Sequence, residues 1–207
     1  MTKLFVDCGV TKIRLTGGEP LLRPNLVELI GKLRKIPGIK DLALTTNGSL
    51  LTQYARALQE AGLDRITVSL DTLDARLFHQ MNGNKGDLKK VLEGINICEE
   101  LDFAAIKINV VLQKGVNDRN ALDLVGHFKG RKPVLRFIEY MDVGNCNHWG
   151  LRYVVPTREI VDQINSRFPL RPLAAKEFGE VAARYEFADG SGEIGFISSV
   201  TKPFCGT

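Results

Sequence analysis

The stretch "TKIRLTGGEPLLRP", Thr11–Pro24, begins as a strand and ends in two adjacent glycines, a glutamate and a proline. Paired glycines are costly to order and bring no side chain to a core. Their place directly after "KIRL" therefore calls for bare backbone at the end of a strand. Alternate residues of a strand face opposite sides. Lys12, Arg14 and Thr16 thus share one face, and Ile13 and Leu15 the other.

The same split recurs along the chain. Thr45 and Asn47 oppose Leu44; Thr67, Ser69 and Asp71 oppose Ile66, Val68 and Leu70; Lys107 and Asn109 oppose Ile106, Ile108 and Val110. These strands alternate with helical patterns. "KIRLTG" (12–17), "DLALTTN" (41–47), "RITVSLD" (65–71), "AIKINVVL" (105–112) and "VLRFIEYM" (134–141) read as strands. Helices are expected at 25–35, from Thr52 as a cap through "QYARALQEAG", at 73–81, at 87–101 and near 118–129. Such an alternation implies a parallel sheet. A parallel sheet covered on both faces reads as continuous aliphatics. Here one face stays polar and carries three cations, so the sheet is expected to curl into a full or partial barrel around a wet cavity. Barrel sites lie at the C-terminal ends of the strands. Those ends are Thr16-Gly17-Gly18-Glu19, Thr45-Thr46-Asn47, Ser69-Leu70-Asp71 and Tyr140-Met141. After 141 the pattern changes to a loop, a helix at 157–168 and a hairpin over 183–200 with Asp189-Gly190 in the turn.

Plainer readings stand beside these. Thr45, Thr46 and Asn47 suit turns and caps, and Asp71 or Asp74 suits a helix cap. Lys12 and Arg14 can snorkel at a rim. Lys107, ringed by aliphatics in mid-strand, fits a functional role better. His79 and His127 fall in helical patterns, and Cys146 with His148 is too small a set to make a site.

Composition narrows the class. The chain has 207 residues, 44% hydrophobic and 25% charged, ordinary for a globular protein. No apolar run nears the roughly 20 residues of a bilayer span, and "MTKLFVDCGV" lacks a signal-peptide core. A cytoplasmic location, away from membranes, is expected. The net charge of +4 comes without a Lys/Arg-rich cluster, so nucleic acid is not expected as a partner. It suits an anionic small molecule as well as a routine surface excess. Of the four cysteines, Cys8, Cys98, Cys146 and Cys205, no two stand as CxxC, and the spacing fits free thiols.

The ordered set "KIRLTGGEPLLRP", "LTTNG", "AGLDRITVSLDTLD", "IKINVVLQKGVND", "RFIEYMDVGN" and "FGEVA…FISSVTKPFCGT" closely resembles the radical S-adenosylmethionine GTP 3′,8-cyclase family of molybdenum cofactor biosynthesis, across essentially the whole chain. That resemblance implies an α/β fold: a partial (βα) radical S-adenosylmethionine barrel with a C-terminal helix and hairpin extension, divided as 1–145 and 146–207. It implies a 4Fe-4S cluster that reductively cleaves S-adenosylmethionine (SAM). Hydrogen is then abstracted from the ribose of GTP, and the sugar carbon bonds to C8 of guanine. It places the Gly17-Gly18-Glu19-Pro20 stretch against the methionine moiety of SAM, with Gly18 the binding position and Ser69 and Met141 as further contacts, and Arg14, Thr45 and Lys107 against GTP, with Lys12 a further phosphate contact. Cys205 matches a ligand of a second 4Fe-4S cluster. A reductant and a homodimer are implied as partners. The family pattern sets CxxxCxxC before the GGEP strand, where this sequence has Cys8. It sets further cysteines beyond Cys205, where the sequence ends at Thr207. The sequence is therefore expected to be cut at both ends and unable to form product. Two competing readings remain: a catalytically inactive nucleotide-binding fragment, and a Schiff-base aldolase with Lys107 as its amine. The aldolase leaves the paired glycines unexplained.

Overall fold

The structure, a computed structural model, describes residues 1–141, 149–175 and 179–202. The chain divides into two compact units, Met1–Ser69 with Lys85–Lys107, and Leu70–Asn84 with Ile108–Thr207.

The first unit opens with a short helix α1 (Thr2–Asp7) that the sequence pattern does not announce; Leu4 and Phe5 are exposed on it. Strands β1 (Lys12–Leu15), β2 (Asp41–Thr46) and β3 (Arg65–Ser69) pair in parallel. Helices α2 (Leu26–Arg34) and α3 (Leu51–Glu60) make the crossovers. The register confirms the alternation: Lys12 pairs with Asp41, Arg14 with Ala43, Ala43 with Arg65, and Thr45 with Thr67. These residues share one face. Leu42, Leu44, Ile66 and Val68 are buried on the other. Arg34 at the end of α2 donates to the Gly62 carbonyl at 2.9 and 2.6 Å and pairs with Asp64, which also accepts from the Leu42 N–H at 2.7 Å.

Thr52 is not the cap of α3. The helix starts two residues earlier than that cap would set it, at Leu51, with Leu50 in the cap position and no side-chain cap bond. Burial explains the earlier start. Leu51 is fully buried, and its Cβ is close to α5 (Leu88–Glu100) at Gly94, where an added Cβ would lie 2.6 Å away. Gly48, just before α3, has φ +78°, and a Cβ there would meet Val68 at 2.9 Å. Here glycine is needed by both dihedral and space.

Strand β4 (Ala105–Leu112) alternates half-buried and buried residues throughout, and its first three residues belong to the first unit. In the second unit lie α4 (Ala75–Met81), α6 (Ala121–Phe128), β5 (Val134–Glu139), α7 (Thr157–Arg167), β6 (Leu170–Leu173), β7 (Ala183–Phe187) and β8 (Glu193–Ile197). β8 pairs with β5 in parallel, stacking Phe196 on Phe137 with ring centroids 5.9 Å apart, and with β7 antiparallel. The hairpin expected around Asp189-Gly190 is thus β7–β8. β6, unexpected from sequence, pairs with β7 and holds Pro172, whose missing N–H an edge strand tolerates. Asp74 caps α4 through the Leu77 N–H at 2.8 Å, as the plainer reading held. Among the described residues no helix is long and apolar enough to cross a membrane.

Candidate functional site

The C-terminal ends of β1, β2 and β3 surround a pocket of about 440 Å³. β1 contributes Thr16 to Glu19, β2 contributes Thr45 to Asn47, and β3 contributes Ser69. A Cβ built on Gly17 or Gly18 meets no heavy atom within 4 Å. The protein does not crowd these glycines. They leave backbone bare toward open space, as a ligand approaching the main chain requires.

The loop is held in place by Glu19. Its carboxylate accepts from the Leu21 N–H at 2.9 Å, starting the 3₁₀ turn Pro20–Leu22. It also accepts from the Thr46 hydroxyl and the Asn47 N–H, each at 2.7 Å. Glu19 therefore ties the glycine loop to the end of β2, and that carboxylate is occupied within the protein. Thr46 accepts from the Gly48 N–H at 3.1 Å and Asn47 from the Ser49 N–H at 2.9 Å, so both do the turn work also open to them from sequence.

Arg14 donates from Nη1 to the Thr45 hydroxyl at 3.2 Å, joining two of the residues assigned to GTP. Its pKa lies below the ordinary arginine value: partial burial lowers it, neighbouring Arg65 lowers it further, and Asp41 opposes both. Arg65 donates from Nε to Asp41 at 2.7 Å and from Nη2 as well, a two-pronged pair on the same face. Sequence reasoning missed this pair, although the parity that links Thr45 back to Asp41, and Thr67 back to Arg65, contains it. Arg14 reaches the pocket only through Thr45 and, like Lys12 on the same face, lies outside its lining. Lys107 occupies the half-buried side of β4 between buried Ile106 and Ile108, and it too lies outside that lining. Met141, in the second unit, is 44% exposed. Cys205, Cys146 and His148 lie outside the described residues. His79 and His127 are exposed.

In the second unit Asp71 accepts from the Val111 N–H at 2.8 Å, and its carbonyl accepts from Asn117 at 2.9 Å. Burial raises its pKa to about 6, and the Val111 bond opposes the rise. The side-chain carbonyl oxygen of Asn109 is buried without a hydrogen-bond partner.

Residues 1–127 match the model described as Radical SAM superfamily, and residues 134–207 match Molybdenum Cofactor Synthesis C. The chain belongs to the Radical SAM superfamily. A protein from Xanthomonas campestris named GTP 3′,8-cyclase is 56% identical over 206 residues, which is 100% of this chain and 61% of that protein. The protein of that name from Acidothermus cellulolyticus is 49% identical over 97% of this chain and 56% of its own length. The Staphylococcus haemolyticus one is 44% identical over 100% and 61%. The chain thus spans about three fifths of the length of these relatives. Among solved structures, a domain of pyruvate-formate lyase-activating enzyme from Bacteroides vulgatus matches with TM-score 0.57 and 22% identity, covering 74% of this chain and 90% of that one. A radical SAM methyltransferase from Sphaerobacter thermophilus matches with TM-score 0.58 and 17% identity, covering 79% and 50%. These structural likenesses carry the fold: an α/β partial barrel of the radical SAM type.

The residues present fit SAM unequally with its iron–sulfur partner. The open Gly17–Gly18 backbone, the exposed Ser69 hydroxyl and the polar ends of β2 suit a small zwitterionic ligand. The described residues do not suit a cluster. Cys8 is exposed and Cys98 is buried in α5, where burial and then Glu99 push its thiol up to about 12. A cluster needs thiolates, and no group of three or more potential metal ligands stands together among the described residues.

Proposed function

We propose that this chain is the SAM- and GTP-binding body of a GTP 3′,8-cyclase acting in molybdenum cofactor biosynthesis. One observation supports it above the rest: bare Gly17–Gly18 backbone opens onto a pocket at the ends of β1–β3, beside the Arg14–Thr45 hydrogen bond. The relatives named GTP 3′,8-cyclase, 56% and 49% identical, support SAM and GTP as the ligands of this reading.

In this reading Gly18 lets the ligand's amino-acid moiety approach the main chain, and Ser69 and Met141 are further SAM contacts. Arg14 turns one N–H to Thr45 and keeps the remaining donors of its guanidinium for phosphate, the strong charge-assisted kind of bond. Thr45 orients that guanidinium, and Lys107 adds a second cation for the triphosphate, with Lys12 in support. Glu19 fixes the glycine loop by tying it to the end of β2. SAM, when bound, supplies the radical chemistry. The division into a core over 1–145 and an extension over 146–207, the second-cluster role of Cys205, an external reductant, a homodimer and a cytoplasmic location belong to the same proposal through the family resemblance.

The test has two arms. NMR titration with SAM should shift the Gly17, Gly18 and Ser69 signals, and titration with GTP those of Arg14, Thr45 and Lys107. Unmoved signals in both titrations overturn the assignment. Anaerobic incubation with iron, sulfide, reductant, SAM and GTP then separates a cyclase from a nucleotide-binding body: 5′-deoxyadenosine with cyclised GTP supports the first, and binding without either product the second.

A further inference from the structure

Strand β5 ends in Glu139, inside the motif "RFIEYMD", and this carboxylate is 1% exposed. It shares the buried face of β5 with Leu135 and Phe137, an expensive place for a charge. No lysine or arginine pairs with it among the described residues. Five donors converge on it instead. Oε1 accepts from the Thr157 N–H at 2.8 Å, the Thr157 hydroxyl at 3.0 Å and the Thr201 hydroxyl at 2.6 Å. Oε2 accepts from the Val200 N–H at 2.9 Å and the Thr201 N–H at 2.8 Å. The Glu139 carbonyl accepts from the Ser199 hydroxyl at 2.9 Å, and the Ser198 hydroxyl donates to Thr157 at 2.8 Å. Burial works against the charge, and the bonds from Thr201, Thr157 and Val200 together outweigh it and hold the carboxyl below its ordinary pKa. Three segments far apart in sequence meet on one side chain: the end of β5, the first turn of α7, and the residues after β8.

We propose that Glu139 is a positioning residue, whose carboxylate fixes residues 198–201 and the start of α7 against the end of β5 and so sets the main chain that presents Met141, two residues on, to SAM. The inference rests on the proposed function, which makes Met141 a SAM contact. It does not rest on the bulk of the side chain. All five partners are donors, so both oxygens must be acceptors. Glutamine has the same shape but turns an NH₂ group toward donors on one side, leaving at least one buried N–H or hydroxyl unpartnered.

Glu139→Gln is therefore the decisive variant, and Phe128→Leu in α6, a buried residue that makes none of the five hydrogen bonds, serves as a destabilised control. Three readouts are taken well below both melting temperatures: amide hydrogen exchange at Thr157, Val200 and Thr201, the Met141 methyl resonance, and SAM titration by NMR. In Glu139→Gln, exchange at those amides should rise by about tenfold or more. The Met141 methyl signal should move or broaden, and the SAM dissociation constant should rise by about tenfold. Phe128→Leu should leave all three as in the wild type. Wild-type exchange in Glu139→Gln overturns the anchor. Faster exchange with an unmoved Met141 signal and unchanged SAM affinity overturns the positioning role. Failure of the wild-type chain to bind SAM overturns the proposed function and the ligand part of this inference with it; the exchange data then decide the anchor separately.

Discussion

Asp71 offers a sharp test because its carboxyl stands where a charge is costly. Its pKa is about 6 against an ordinary 3.8, raised by burial and only partly offset by the Val111 N–H. A carboxyl whose folded pKa exceeds its unfolded value binds its proton more tightly in the folded state. Stability then falls as pH rises from about 4 to about 6, and the full cost is present above that window. A displacement of roughly two pH units at about 1.4 kcal/mol each comes to about 3 kcal/mol. Asp71→Asn keeps an oxygen for Val111 and removes the charge. At pH 7.5 the variant should be more stable than the wild type by up to about 3 kcal/mol, and at pH 4 the two should agree within about 0.5 kcal/mol. Urea unfolding at pH 4, 5, 6 and 7.5 measures the difference, in which every other titrating group cancels. A difference that does not change with pH, or a variant less stable at pH 7.5, refutes the reasoning.

The other predictions concern the glycines and the cations. Gly18→Ala places its methyl where no protein atom stands within 4 Å; unfolding stability should stay within about 0.5 kcal/mol of wild type, while SAM titration shows at least about tenfold weaker binding. Gly94→Ala drives a Cβ to 2.6 Å from Leu51; thermal unfolding should report a loss of about 1–3 kcal/mol from overpacking, despite alanine's better helix propensity. Lys107→Ala removes a proposed phosphate contact; GTP affinity should fall by about 1.5–3 kcal/mol with the SAM-induced shifts unchanged, and an unaltered GTP dissociation constant removes Lys107 from that site.

The legible part of this molecule was written in period. Alternation along 12–17, 41–47 and 65–71 separates the face of Lys12, Arg14, Thr45 and Ser69 from that of Leu42, Leu44, Ile66 and Val68, and the parallel register reproduces that division residue by residue. The paired glycines were legible for a different reason. A strand that stops in residues without side chains announces a place where backbone is wanted, and the open space above Gly17 and Gly18 agrees. What escaped the reading was everything decided by partners distant in sequence. Period cannot say that Glu19 closes onto Thr46 and Asn47, that Arg65 pairs with Asp41, or that a buried Glu139 gathers donors from Thr157 and Thr201. Short elements escaped as well: α1 and β6 span six and four residues, and neither repeats the polar–apolar alternation that made the equally short β1 legible. Thr52 shows the competition directly, since a plausible cap yielded to the burial of Leu51. Glu19 stood in the sequence as part of a stretch set against SAM, and Glu139 only as a letter of the motif "RFIEYMD". The structure gives each carboxylate entirely to hydrogen-bond donors of the protein. Substitution at either should therefore loosen the backbone it holds: the glycine loop against β2 for Glu19, and residues 198–201 with the start of α7 for Glu139.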